Sequence, residues 1–370
     1  MTDKEIFISR VEEYGGIYLE ANEEFSFLEK MLDIHKEIYN TLYPQWKLPD
    51  VFMGLINNDD FKAFSFKEQD RYFIALSTGT IRVLKNLFRY VIQQEVLYKD
   101  NLVKECKNPM HFNSSFDKII MNFYRYDLNF DLNDEKSIKQ ADQLLLKSLE
   151  LIMMHEFGHI KNGHLDYNKQ TDKKNLLFEE DRFEMNKKNI RKVLEYDADI
   201  SSMNCILRRL HITFNNSEDL INEIIELNYA LAITFKAMGM KNVNIDNFEN
   251  ALYPEASYRI LYSRAASTSF FNNEGIDESL KKKIKDEVTN HIIKAEQEIP
   301  ILLQYRFIDD GILDYASNTG ILSDYLLSTT YNNIQEELQK YSFVKLPPKS
   351  KIKLNQKTFD RELLQILRKL

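Results

Sequence analysis

Residues 144–164 read LLLKSLELIMMHEFGHIKNGH, and the organisation of the whole chain follows from them. Ser137 upstream is read as the cap of a long helix running through Asn162, and Gly163 closes it by supplying a left-handed residue. Lys147 and Glu150 cut the apolar run from Leu144 to Met154, so the segment reads as a helix in water rather than a membrane span. Within it His155 and His159 are four residues apart. That spacing puts both imidazoles on one face, where they reach a single tetrahedral ion. Glu156 leans to the side of the same face, where a carboxylate can take a proton from an attacking water.

Two imidazoles leave a catalytic zinc under-coordinated, so a third ligand has to come from another element. Glu195 in Glu195-Tyr196-Asp197-Ala198-Asp199 is the natural source, on a second long helix around Ile190 to Arg209. Glu195 and Asp199 share a face of that helix, which lets Asp199 accept from the outer nitrogen of a ligand histidine and fix its tautomer. Ala198, Ser201 and Ser202 are small enough for the two helices to approach closely. Asp197, two residues along, is expected to point away and to be silent on replacement. Taken alone, these acids also fit a solvated helix face.

Working outward, residues 23–42 carry apolar positions at helical spacing up to Pro44. FKAFSF, a polar KEQD and RYFIALS then read as two aromatic-rich strands joined by a turn. Thr78-Gly79-Thr80 leads into another helical pattern from Ile81 to Tyr98. Residues 111–135 form an aromatic insertion without a clean period, and 165–188 a polar exposed connection. Helical patterns continue to Leu370, with a break at Pro347-Pro348-Lys349-Ser350. The expected class is α+β, mostly helical: a zincin-like core with a small antiparallel sheet and two metal-site helices. The expected division is 1–56 as an N-terminal helical segment, 57–265 as the core and 266–370 as a helical extension.

Composition narrows the functions. The net charge of -8 gives no electrostatic reason to bind nucleic acid. Two cysteines, Cys106 and Cys205, are too few for a disulfide framework and fit a reducing compartment. The start Met1-Thr2-Asp3-Lys4-Glu5 is unlike a signal peptide, and no run of 18 apolar residues occurs. A cytoplasmic protein without membrane insertion is expected; its oligomeric state is open.

HEFGHIKNGH followed by EYDAD resembles the gluzincin metallopeptidases, particularly those similar to the CAAX-prenyl and heat-shock membrane proteases. NNDDFKAFSF and RYFIALSTGTI resemble that family's hairpin and edge strand, which implies that Phe73, Ile74, Ala75, Leu76 and Ser77 bind the substrate backbone. Tyr253-Pro254-Glu255-Ala256-Ser257-Tyr258-Arg259-Ile260 is similar to the family's His-Pro…Arg-Ile segment, with Tyr253 in place of the histidine. The resemblance implies that Tyr253 or Arg259 donates to the oxyanion. His164 resembles an additional histidine that follows the first motif in the family; beside the metal site it either supports a ligand or closes the water position as a fourth ligand. With no membrane helices, the chain is similar in layout to the soluble phage-exclusion Lit peptidases.

The function expected is therefore that of a zinc-dependent endopeptidase with one Zn2+ per chain, held by His155, His159 and Glu195, with Glu156 as base. Its partner would be a protein or peptide substrate in the cytoplasm, in a regulatory or phage-defence setting. The alternative is a catalytically silent zinc module that senses or binds.

Overall fold

The computed structural model describes residues 1–20, 22–93, 132, 134–174, 180–214, 217–238, 259, 263, 267, 270, 278–284, 286–287 and 330–344. Helix α1, Asp3–Val11, begins with a capping box in which Thr2 and Glu5 satisfy each other's backbone N–H groups. A 3-10 turn, Glu12–Tyr14, leads towards α2, Glu23–Leu42, whose first turn is capped by Asn22 accepting from the Phe25 amide. This helix has the bounds read from its apolar spacing. Next come β1 (Val51–Ile56), β2 (Ala63–Glu68), β3 (Arg71–Ser77) and, directly after it, α3 (Thr78–Gln93).

The hairpin of β2 and β3 forms as its sequence suggests, with a tighter turn. Lys67 and Glu68 stay in the strand, and only Gln69 and Asp70 turn, both with positive φ, 49° and 59°. Two such residues give the twist that joins antiparallel strands directly. The sheet departs from expectation in having a third strand. β1 lies in 1–56, expected to be an N-terminal helical segment, and pairs parallel to β3, from Val51 opposite Tyr72 to Ile56 opposite Ser77. The strand order is β1-β3-β2, so the sheet is mixed and β3 is its centre.

Alternation along the strands divides the sheet into two faces. Phe52, Phe64, Phe66, Phe73 and Ala75 face α1 and gather around Phe7, with Phe66 and Phe73 stacked 4.9 Å apart. Gly54 makes room for that cluster, since a Cβ there would meet the Phe7 ring at 2.3 Å. Met53, Leu55, Tyr72, Ile74 and Leu76 face the opposite way into the main helical core.

The centre of that core is α4, Glu135–Lys161. Its cap is Asp134 rather than Ser137: the Asp134 carboxylate accepts from both the amide and the hydroxyl of Ser137. Asn162 and Gly163, with φ 81°, end the helix as read from the sequence. α5 (His164–Lys174) starts at once, and α6 (Glu180–Thr213) begins well before Ile190, so much of the segment 165–188 expected to be an open connection is helical. α7 (Ser217–Met238) packs on α4 and α6. Glu150 of α4 ties three helices together: it accepts from His35 of α2 at 2.7 Å and from both forked N–H groups of Arg209 of α6, each at 2.7 Å. No helix among the described residues is long and apolar enough to cross a membrane. The aromatic segment 111–131, Cys106, Tyr253 and the break at 347–350 lie outside the described residues.

Candidate metal centre

The last turns of α4 pack against α6 at a contact built from small residues. A Cβ on Gly158 would stand 3.1 Å from the Ala198 carbonyl oxygen and 3.4 Å from Ser201 Cβ. Ser202 donates its hydroxyl to the Leu151 carbonyl at 2.9 Å. Backbones this close bring short side chains from both helices to one point.

Three of them converge there. Nε2 of His155 and Nε2 of His159 are 3.1 Å apart, Glu195 Oε2 is 3.3 Å from His155 Nε2, and Glu195 Oε1 is 3.7 Å from His159 Nε2. A tetrahedral zinc with bonds of about 2.0 to 2.1 Å keeps its ligand atoms about 3.3 Å apart. The donor set fits such an ion, and His155, His159 and Glu195 form a group able to hold a metal among the described residues.

Burial and neighbouring charges act on these groups in different directions. Burial lowers the His159 pKa well below the ordinary histidine value, which leaves its imidazole neutral with a lone pair to share. Burial also opposes charge on Glu195, yet hydrogen bonding to His155 and the nearby imidazoles outweigh it and hold the carboxyl below its usual value. On His155 burial is likewise overcome, chiefly by the charge of Asp199, and the pKa is held up at about 10. Glu156 differs: burial dominates and pushes its carboxyl up, against the pull of His155 and a hydrogen bond from Ser65. A carboxylate raised in this way is a stronger base.

The supporting residues sort into two arms. Asp199 Oδ1 lies 2.7 Å from Nδ1 of His155, the outer nitrogen, as its helical spacing with Glu195 suggests. Arg259 grips the same carboxylate with two bonds, Nε to Oδ2 at 2.8 Å and a terminal nitrogen to Oδ1 at 2.7 Å. Its guanidinium lies over the Phe235 ring, 4.4 Å from the centroid, and the residue is 6 % exposed. Two of the Arg259 nitrogens are thus held by Asp199. On the other arm, His164 Nδ1 sits 2.8 Å from His159 Nδ1 and its Nε2 sits 2.9 Å from Asp197. His164 therefore touches the outer side of a ligand and does not itself join the three donor atoms.

Two expectations change. Asp197 does leave the face shared by Glu195 and Asp199, but it meets His164 and Asn162 instead of solvent. Phe73 to Ser77 are not an edge: β3 is paired on both sides, so its backbone has no free hydrogen bonds for a substrate strand. The strand beside the site is β2, whose Ser65 donates to Glu156 Oε2 at 2.9 Å. Ser65 was missed in the sequence. Its only signal is the alternation Ala63, Ser65, Lys67, which puts small and polar side chains on the helix-facing side of β2.

No curated protein and no solved structure matches the chain. The family model of peptidase U49, a Lit-type metallopeptidase family, does match over residues 62–275, more than half of the 370 residues and spanning the hairpin, both metal-site helices and Arg259, and the chain belongs to that family.

Proposed function

We propose that this peptidase is a zinc-dependent endopeptidase of the gluzincin type, with one ion per chain on His155, His159 and Glu195. The convergence of those three donor atoms at tetrahedral spacing, beside a buried carboxylate on the same helix, carries the reading. A zinc ion bound there supplies a Lewis acid for the scissile carbonyl and acidifies water. Glu156 accepts the proton of the attacking water and passes it to the leaving amine. Ser65 holds Glu156 Oε2 while it does so. Asp199 and His164 keep the two ligand imidazoles in the tautomer that presents Nε2 to the ion. Tyr253 is proposed as the oxyanion donor, since the fork of Arg259 is held by Asp199.

The proposed substrate is a cytoplasmic protein whose backbone pairs with β2, the strand nearest Glu156, in a role akin to phage defence. A silent zinc module would need His164 or Tyr253 in the fourth position, and His164 faces the other side of His159. The test pairs metal analysis with cleavage. Wild type should carry about one zinc, lose cleavage on chelation and regain it with zinc. His155→Ala combined with His159→Ala should carry none, and Glu156→Gln should keep the metal but lose about 100-fold or more in cleavage of co-purified or trapped substrate. Full zinc in the double histidine variant, or undiminished cleavage by Glu156→Gln, rejects the reading.

A further inference from the structure

We infer that Asp197 and Tyr331 are positioning residues of the metal centre, acting on the ligand His159 through His164. The inference rests on the metal-site reading above and extends it to a helical segment outside the family match, residues 330–341.

The chain of contacts is continuous. His159 presents Nε2 to the other ligand atoms and Nδ1 to His164 Nδ1 at 2.8 Å. His164 is fully buried and presents Nε2 to Asp197 Oδ2 at 2.9 Å. Asn162 donates to that same oxygen at 2.6 Å, and the phenol of Tyr331 stands beside the Asp197 carboxylate, whose charge raises the phenol's pKa. One set of tautomers satisfies every link. If the lone pair of His159 Nε2 is used on an ion, its Nδ1 carries the proton and donates to His164 Nδ1. His164 must then be protonated at Nε2, which donates to Asp197. A carboxylate accepts only, so it fixes this order and no other.

The two ligand histidines are thereby supported by different means. His155 meets Asp199 directly, whereas His159 lies one imidazole further from its acid. Tyr331 arrives because its helix is docked against the middle of α6 and the start of α5, and the residues that follow it reach the C-terminal end of α4. Ile334 and Leu338 pack with Tyr167, Val193, Leu194 and Tyr196. The Phe343 amide donates to the Lys161 carbonyl at 2.9 Å, just past His159. The C-terminal segment thus closes the outer side of the site.

Binding of Co2+ as a spectroscopic probe tests this, by competition with a chelator and by the visible absorption of the bound ion. Asp197→Ala and His164→Phe should each weaken Co2+ binding by about 10 to 100-fold and alter the spectrum, and Tyr331→Phe should act in the same direction more weakly. Because the residues act in series, combining Asp197→Ala with His164→Phe should add little to His164→Phe alone. Glu150→Gln, destabilising on the same helix but remote from the relay, should leave affinity and spectrum unchanged.

Unchanged Co2+ affinity and spectrum in Asp197→Ala and His164→Phe overturns the inference. So does additivity in the double variant, or an equal loss in Glu150→Gln, which would reduce the effect to stability. If Asp197→Ala does not fold, His164→Phe and Tyr331→Phe carry the same comparison. Should wild type itself bind no metal, the metal-site reading falls together with this one. If wild type binds and only the relay variants are silent, the relay alone is wrong.

Discussion

Ser65 Oγ donates to Glu156 Oε2 across 2.9 Å, so strand β2 touches the proposed base directly. A hydrogen bond to a charged acceptor contributes about 1.5 to 3 kcal/mol. Ser65→Ala is expected to lower kcat by about 10-fold with metal content unchanged. The bond also pulls the Glu156 pKa down against burial, so its loss raises that pKa further and moves the acid limb of kcat/KM to higher pH. A pH–rate profile with metal analysis decides this; an acid limb that stays in place would separate Ser65 from the base.

Asp199 and Arg259 should have different consequences although they share a bond. Asp199→Ala frees His155 Nδ1 and is expected to weaken metal binding by about 10 to 100-fold. Arg259→Ala leaves the Asp199 contact to His155 in place but strands a buried carboxylate, at a cost of about 3 to 5 kcal/mol of stability. Urea denaturation of the metal-free proteins and metal competition measure the two effects. An Arg259→Ala protein of normal stability and metal affinity but with no turnover would instead place the guanidinium on the substrate.

Stability should fall in acid partly through Glu150. Burial opposes its charge, but the hydrogen bond from His35 and the charge of Arg209 prevail and bring its pKa from 4.5 to about 2. Its folded pKa lies below its unfolded one, so the contribution is complete above about pH 4.5 and is lost as pH falls towards 2. A shift of that size is worth on the order of 3 kcal/mol. Glu150→Gln should therefore be much less stable than wild type at neutral pH, and the gap should narrow between pH 5 and pH 2. Denaturant titrations across that range that show a constant gap would contradict the assignment.

Gly163 is expected to tolerate no side chain. Its φ of 81° costs an alanine about 1 to 2 kcal/mol, and a Cβ would stand 2.5 Å from the Tyr341 carbonyl carbon and 2.6 Å from the Ser342 nitrogen. Both neighbours are backbone and cannot rotate away. Gly163→Ala should lower the melting temperature and expose the C-terminal segment to protease; a melt equal to wild type would show that the segment yields freely.

The sequence by itself determined the local parts of this protein. The i, i+4 placement of His155 and His159, the pairing of Glu195 with Asp199 on one face, the stop at Gly163 and the full extent of α2 all follow from a 3.6-residue period and from end signals within a few residues. The β2–β3 hairpin is equally local. Tertiary structure decided what depends on partners far along the chain. β1 is six residues whose pattern suits a strand or a helix, and only parallel pairing with β3, about twenty residues on, makes it an edge and β3 the centre. Ser65, Asp197, Arg259 and Tyr331 carry no motif that names their partners. Each has its role because buried polar groups must be satisfied by whatever the packing brings within about 3 Å, and the packing of α4, α6, β2 and the C-terminal helical segment sets that distance.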